Sequence, residues 1–221
     1  MDAEQAIFAR RSVRKYREDA VAESLLEKLM QYAMAAPSAC NKKPWEFYVV
    51  TAPDLLARLR KATRFSNINA PAAVVAAGNR KHMLPLGGAD FWIQDCSAAV
   101  ENILVGAAGQ GLGTCWCGVW PSEKNAEKVR EILDAPKEIV PLGLIWVGWP
   151  TEMPEPRTQY DPERVHRIGK RQNKTGSRRQ PCRLDPVLFH FPRLFESRRE
   201  GSEAGTRKAC RYAEGGCPNF R

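Results

Sequence analysis

Over the first 170 residues the apolar positions switch repeatedly between helical and strand spacing. Ala3–Ala9 reads as a short helix. From Ala22 to Ala36, Leu25, Leu26, Leu29, Met30, Ala33 and Met34 recur at intervals of three and four, an amphipathic stripe that Pro37 ends. Glu46–Thr51 is strand-like, Asp54–Thr63 is helical with Pro53 at its start, and Ala72–Gly78 is a strand of small residues suited to burial. Ala89–Gly109 is Ala-rich and apolar on most sides, which predicts a helix in the middle of the molecule. Thr114–Trp120 alternates as a strand, Ser122–Leu133 is helical with Ser122 as N-cap, and Val140–Val147 is a last apolar strand. Pro150, Pro154 and Pro156 then carry the chain off the core as an extended arm. Helices alternating with strands predict an α/β or α+β layer fold.

After Lys170 the pattern stops, and composition sharpens the boundary. Residues 1–170 carry 22 Lys and Arg against 20 Asp and Glu, whereas residues 171–221 carry 12 against 5. The net charge of +9 therefore belongs mainly to the tail. That tail has no Trp and only eight Leu, Ile, Val or Phe, too few to build a core. We read residues 1–170 as one folded domain and 171–221 as a basic, low-hydrophobicity tail, disordered or adventitious. No apolar run approaches the roughly 20 residues that span a bilayer. Met1–Gln5 lacks the build of a secretory signal. An odd number of cysteines, seven, without a C-x-x-C pair argues against a disulfide framework or a zinc site. The expectation is a cytoplasmic protein with reduced thiols, no membrane contact and no metal.

Candidate chemistry lies in four places. In an extended Arg10-Arg11-Ser12-Val13-Arg14 segment, Arg10, Ser12 and Arg14 share one side, spaced to surround a phosphate. A solvated basic stretch at a helix end explains the same residues equally well. Pro37-Ser38-Ala39-Cys40-Asn41, with Pro44 beyond, forms a rigid loop whose backbone suits the edge of a flat ring, or a plain helix-to-strand connection. Gly106, Gly109, Gly111 and Gly113 imitate a dinucleotide fingerprint but follow a helix and precede a strand, the reverse of what that site needs. They read instead as close helix packing, a C-cap and a turn. In Cys115-Trp116-Cys117-Gly118-Val119-Trp120, Gly118 at a strand end allows close approach of a ligand, or marks a bulge. His82, His166 and His190 stand apart, with no nucleophile or metal grouping. Asp95 and Glu101, on a helix expected to be buried, need partners.

In order and spacing, RRSVRKY, APSACNKKPWEF, DFWIQDCSAAVENILVGAAGQGLGT, CWCGVWP, PLGLIWVGWP and EPRTQYDPERVH resemble the short members of the FMN-dependent nitroreductase family across residues 1–170. The resemblance leaves residues 171–221 unexplained. It implies an α+β fold with a central sheet flanked by helices, and a homodimer with FMN between the subunits. It also implies NADH or NADPH as electron donor and a nitroaromatic, quinone or similar acceptor reduced in ping-pong order. By the same resemblance Arg10, Arg11, Ser12 and Arg14 would grip the FMN phosphate and ribityl end. Pro37, Ser38, Ala39 and Asn41 would approach the isoalloxazine from the partner subunit. Cys117, Gly118 and Val119 would line the ring near N5 with their backbone N–H groups aimed at it. Arg157 would complete the phosphate site, although Gln159 stands where relatives often carry a second cation, which implies a weaker clamp. Trp45, Trp92, Trp116 and Trp120 are candidates for the pocket wall or for the core. No catalytic side chain is expected, because the flavin carries the hydride chemistry. Two rival readings are a relative with dehalogenase-like or flavin-degrading chemistry, and a nucleic-acid binder acting through its basic tail. The second lacks any base-reading motif.

Overall fold

The computed structural model of the chain describes residues 1–85, 88, 90–156 and 158–169. The chain divides into Met1–Val165 and His166–Arg221. Of the second unit only residues 166–169 are described, all exposed and without helix or strand.

The first unit runs α1 (Ala3–Ala9), α2 (Glu23–Met34), β1 (Trp45–Val50), α3 (Pro53–Leu59), β2 (Ala72–Asn79), α4 (Phe91–Gly109), β3 (Gly113–Gly118), α5 (Glu123–Ile132) and β4 (Ile139–Gly148). The four strands form one antiparallel sheet in the order β1-β2-β4-β3. This is the α+β architecture that the resemblance implies.

Both faces of the sheet are covered, and the strand residues divide accordingly. Ala72, Val74 and Ala76 point to a core shared with α2 and α4, while Ala73 and Val75 point to a second core shared with α3 and α5. A strand buried on both faces reads as continuously apolar, which is why β2 lacks alternation. Its small side chains also let α4 come close. A Cβ on Gly78 would lie 2.5 Å from the Trp92 ring.

The helix ends follow local chemistry. Asp2 accepts the Gln5 N–H at 2.8 Å while the Gln5 side chain accepts the Asp2 N–H at 3.3 Å, a capping box for α1. Ser122 caps α5 by accepting the Asn125 N–H at 3.3 Å. Gly111, at φ 76°, ends α4, with Leu112 N–H bonded to Ala107 O at 2.9 Å and Gly111 N–H to Ala108 O at 3.0 Å. Gly106 lies against the Tyr32 ring of α2, where a Cβ would meet it at 2.3 Å. One boundary differs from the sequence expectation: α3 stops at Leu59, not Thr63. The Arg60 side chain takes the carbonyls of Ile68 and Ala70, and Ser66 Oγ accepts the Thr63 N–H, so residues 60–66 close into a turn.

Two irregularities shape the open end of the sheet. Ala76 pairs with Gly143 and Ala77 with Pro141, so Leu142 is the extra residue of a β-bulge. Pro141 is tolerated in this central strand because it sits at the bulge. The outer edge of β3 is bridged by the N-terminal segment: Ser12 pairs in parallel with Thr114, and Val13 N–H donates to Thr114 O at 2.8 Å. Among the described residues no helix is long and apolar enough to cross a membrane.

Candidate functional site

The segment after α1 is extended, as the phosphate reading requires. Val13 and Tyr16 are buried in the core, while Ser12 and Arg14 face outward and Arg10 is half-buried beside them. Gly113 makes this docking possible, since a Cβ there would lie 2.9 Å from the Val13 side chain. The arm after β4 runs alongside: Arg17 N–H donates to Trp149 O, Thr151 N–H to Lys15 O, and Arg11 Nη1 to Glu155 O.

Between the segment and the arm lies a cavity of about 390 Å³ lined by Ile7, Phe8, Arg10, Arg11, Ser12, Arg14, Thr158 and Gln159. Three guanidiniums and a hydroxyl face one space whose lining contains no carboxylate. Arg10 is partly committed, its Nε lying 3.3 Å from Glu101 Oε1 on α4. Arg14 makes only a long contact, 3.4 Å, to Ser12 O. Among the described residues neither Arg11 nor Arg14 has a carboxylate partner. Fixed positive charge without a counterion is what a bound phosphate requires. Arg157 lies outside the described residues, but its neighbours Thr158 and Gln159 both border the cavity. Glu101, the residue that orients Arg10, was visible in the sequence only as a carboxylate needing a partner.

The second candidate segment has a different character. Ala39–Asn41 forms a short 3-10 turn, and Cys40, Asn41 and Lys43 take left-handed φ values of 49°, 53° and 49°. Such values in non-glycine residues cost on the order of 1 kcal/mol or more each and persist only when the surroundings hold them. Asp95 Oδ1 accepts the Ala39 N–H at 2.8 Å, and Ser38 Oγ accepts the Lys43 N–H at 2.9 Å. Asp95, buried on α4, is therefore the anchor of this loop. Pro37 and Asn41 are exposed and Ser38 and Ala39 half-buried. None of the four borders the cationic cavity of the same chain.

The third segment departs from the expected arrangement. Val119 is fully buried, its N–H donates to Leu142 O at 2.9 Å, and the Trp120 N–H shares that acceptor at 3.1 Å. The bulge that frees the Leu142 carbonyl thus consumes the Val119 amide expected to face a ring. Cys117 turns its side chain into the second core, and Gly118 is exposed on the opposite side. Trp116 shares that open side and is 36% exposed, its ring lying across Gly143, where a Cβ would meet Nε1 at 2.2 Å. Trp45 and Trp92 are buried in the first core, and Trp92 meets Trp120 edge-to-face at 5.7 Å between centroids. Core packing claims two of the four candidate tryptophans, leaving Trp116 and Trp120 nearer the surface. Among the described residues no group of three His, Cys, Asp or Glu could hold a metal ion.

The family model described as the Nitroreductase family matches residues 7–84 and 66–149. The chain belongs to the nitroreductase family. A protein of Methanothermobacter thermautotrophicus named as an NADH dehydrogenase/NAD(P)H nitroreductase is 37% identical over 169 residues, 75% of this chain and 86% of that protein. A solved structure from Parabacteroides distasonis, named in the same words, is 34% identical with a TM-score of 0.70, covering 76% of this chain and 98% of the other. An FMN-dependent nitroreductase of Clostridium difficile is 28% identical with a TM-score of 0.67, covering 75% and 99%. The family-model match thus runs from the last turn of α1 to the end of β4 and includes the cationic segment and the anchored loop.

Proposed function

We propose that this nitroreductase-family chain is an FMN-dependent oxidoreductase that draws hydride from NADH or NADPH and reduces nitroaromatic, quinone or similar acceptors. The cationic cavity carries the reading. Among the described residues Arg11 and Arg14 face it without a carboxylate partner, Ser12 adds a hydroxyl, and Glu101 pairs with Arg10, a donor set matched to a phosphate monoester. When bound, FMN would supply the electron sink that no side chain offers, which fits a cavity lining without a nucleophile or acid–base pair among the described residues.

The chain's own residues bind and orient. Arg11, Ser12 and Arg14 would hold the phosphate, with Arg157 beside them. Gly118, without a side chain, and Trp116 would offer the surface on which the flat ring rests, while Cys117 and Val119 support that strand end from the core. Pro37, Ser38, Ala39 and Asn41 would come from a second copy of the chain, because the loop lies outside its own chain's cavity. Large exposed apolar side chains on the three helices Ala3–Ala9, Glu23–Met34 and Phe91–Gly109, namely Ile7, Met34 and Phe91, fit such a homodimer. Donor and acceptor would use one face in turn, giving ping-pong kinetics. Four free cysteines among the described residues fit a reducing cytoplasm.

The purified protein is expected to be yellow, to bleach with NADH or NADPH under anaerobic conditions, and to recover its colour with a nitroaromatic or quinone. A colourless protein that takes up no added FMN would overturn the proposal.

A further inference from the structure

A second cavity lies between α5 and the first residues of β4, where β4 runs on past the end of β3. It measures about 230 Å³, and Ile139, Val140 and Pro141 form its buried floor. Trp120 lines it at the level of Leu142, whose carbonyl accepts the Trp120 N–H, and the half-buried ring is steadied edge-to-face by Trp92. Arg80 lines it at the level of Glu138, its N–H donating to Glu138 O at 2.9 Å. Those two levels are four residues apart on β4, roughly 12 Å at the rise of a strand. Helices α2 and α4, which carry exposed apolar side chains suited to the proposed dimer, cover the face of the sheet opposite to α5.

The charges around this groove divide unevenly. Arg130 is paired with Glu127 and donates to Ala135 O at 3.2 Å, and Lys81 is paired with Glu138. Arg80 and Lys137 both line the groove and have no carboxylate partner among the described residues. Glu123 lines it too, but it sits in the first turn of α5, where the helix N-terminus offsets a negative charge. An aromatic ring with two uncommitted cations beyond it matches a purine base followed by a phosphate. The cavity is smaller than the roughly 300–1,000 Å³ that encloses a whole small molecule, so it suits one end of a longer one. The two reduced nicotinamide dinucleotides are of that kind. They differ only at the adenosine ribose, where a cation selects the 2′-phosphate and a carboxylate the 2′-hydroxyl.

We propose that the groove between α5 and β4 receives the adenosine end of the electron donor and makes the protein prefer NADPH, with Arg80 and Lys137 on the 2′-phosphate and Trp120 against the adenine. The inference rests on the FMN oxidoreductase reading, in which the nicotinamide end has a flavin ring to reach at the neighbouring strand end, Gly118. Arg80 and Lys137 would touch no reacting atom. They would act on donor affinity, and so on KM rather than kcat.

Initial rates with each nucleotide, on the full-length protein with FMN in excess, test the assignment. The value of kcat/KM is expected to favour NADPH by about tenfold or more, the scale of one charge-assisted contact. Arg80→Gln and Lys137→Gln should each erase most of that ratio through the KM for NADPH, while Lys124→Gln, on α5 but outside the groove, should keep it. Equal kcat/KM for the two donors, or a ratio that survives both groove substitutions, would overturn the proposal. A protein reduced by neither nucleotide would instead break the oxidoreductase reading, and a direct titration then decides for the groove. Adenosine 2′,5′-bisphosphate, with FMN in excess, should bind about tenfold or more tightly than adenosine 5′-monophosphate, and Arg80→Gln should remove the difference. Equal binding of the two, or a margin unchanged in Arg80→Gln, counts against the groove whatever the activity.

Discussion

The cationic segment Arg10–Arg14 and the loop Pro37–Lys43 look alike in sequence: each follows a helix, is polar, and admits an uneventful structural reading. The fold treats them differently. The first docks along β3, buries Val13 and Tyr16, and leaves its guanidiniums facing a space of about 390 Å³ with little to neutralise them. The second borders none of that cavity, yet is held in three left-handed conformations by Asp95 and Ser38. One region is unfinished electrostatically, the other is finished conformationally and turned outward. That contrast is the basis for proposing a site completed across two copies of the chain, with charge from one and shape from the other.

The largest effect should separate residues within the first region. Arg14→Ala removes a guanidinium that has no carboxylate partner among the described residues and is expected to weaken FMN binding by about 1.5–3 kcal/mol, the scale of a charge-assisted hydrogen bond. Arg10→Ala should cost less, because Glu101 already holds part of that charge. Flavin titration of both variants checks the order, and equal losses would break the distinction between free and committed arginines.

Next, Asp95→Ala strips the loop of its anchor and leaves the Ala39 N–H without its partner, for an expected stability loss of about 1–3 kcal/mol by chemical denaturation. Acceptor turnover should fall while phosphate-end binding persists. Loss of FMN binding equal to that of Arg14→Ala would show that the two regions are not separable.

A smaller effect reports on the ground behind the loop. Cys96 is pushed up to about 12 by burial and by the neighbouring Asp95 carboxylate, from an ordinary value of 9.0. A thiol whose folded pKa is raised stabilises the fold below the unfolded value. That contribution is lost as pH climbs from about 9 towards about 12. Thermal melts should therefore show an alkaline decline that Cys96→Ala makes shallower. The smallest expected effect is none: truncation after Gly169 should leave flavin content and turnover unchanged, because the match to the Parabacteroides distasonis structure covers 98% of that chain with 76% of this one.

Much of the architecture was legible because burial imposes period. The α2 stripe, the doubly buried β2 and the apolar α4 each announce themselves by which positions are apolar. In the cationic segment, alternation accounts for Val13 turning inward while Ser12 and Arg14 face out, but not for Arg11, which borders the same cavity. The end of α3 was not, since it depends on Arg60 reaching carbonyls eight and ten residues away. Nor was the loss of the Val119 amide, which depends on Leu142 bulging out of a neighbouring strand. Asp95 announced that it needed a partner, but which backbone it would restrain is a matter of three-dimensional proximity.

The bulge at Leu142 carries one more consequence. By binding both peptide groups just past β3, it leaves that rim of the sheet with rings and a bare glycine rather than outward-facing amides. Discrimination among small molecules arriving there would then follow contour and stacking area more than polar pairing. If the proposed site is right, resizing Trp116 or Trp120 would then be the more direct way to redraw the range of compounds accepted.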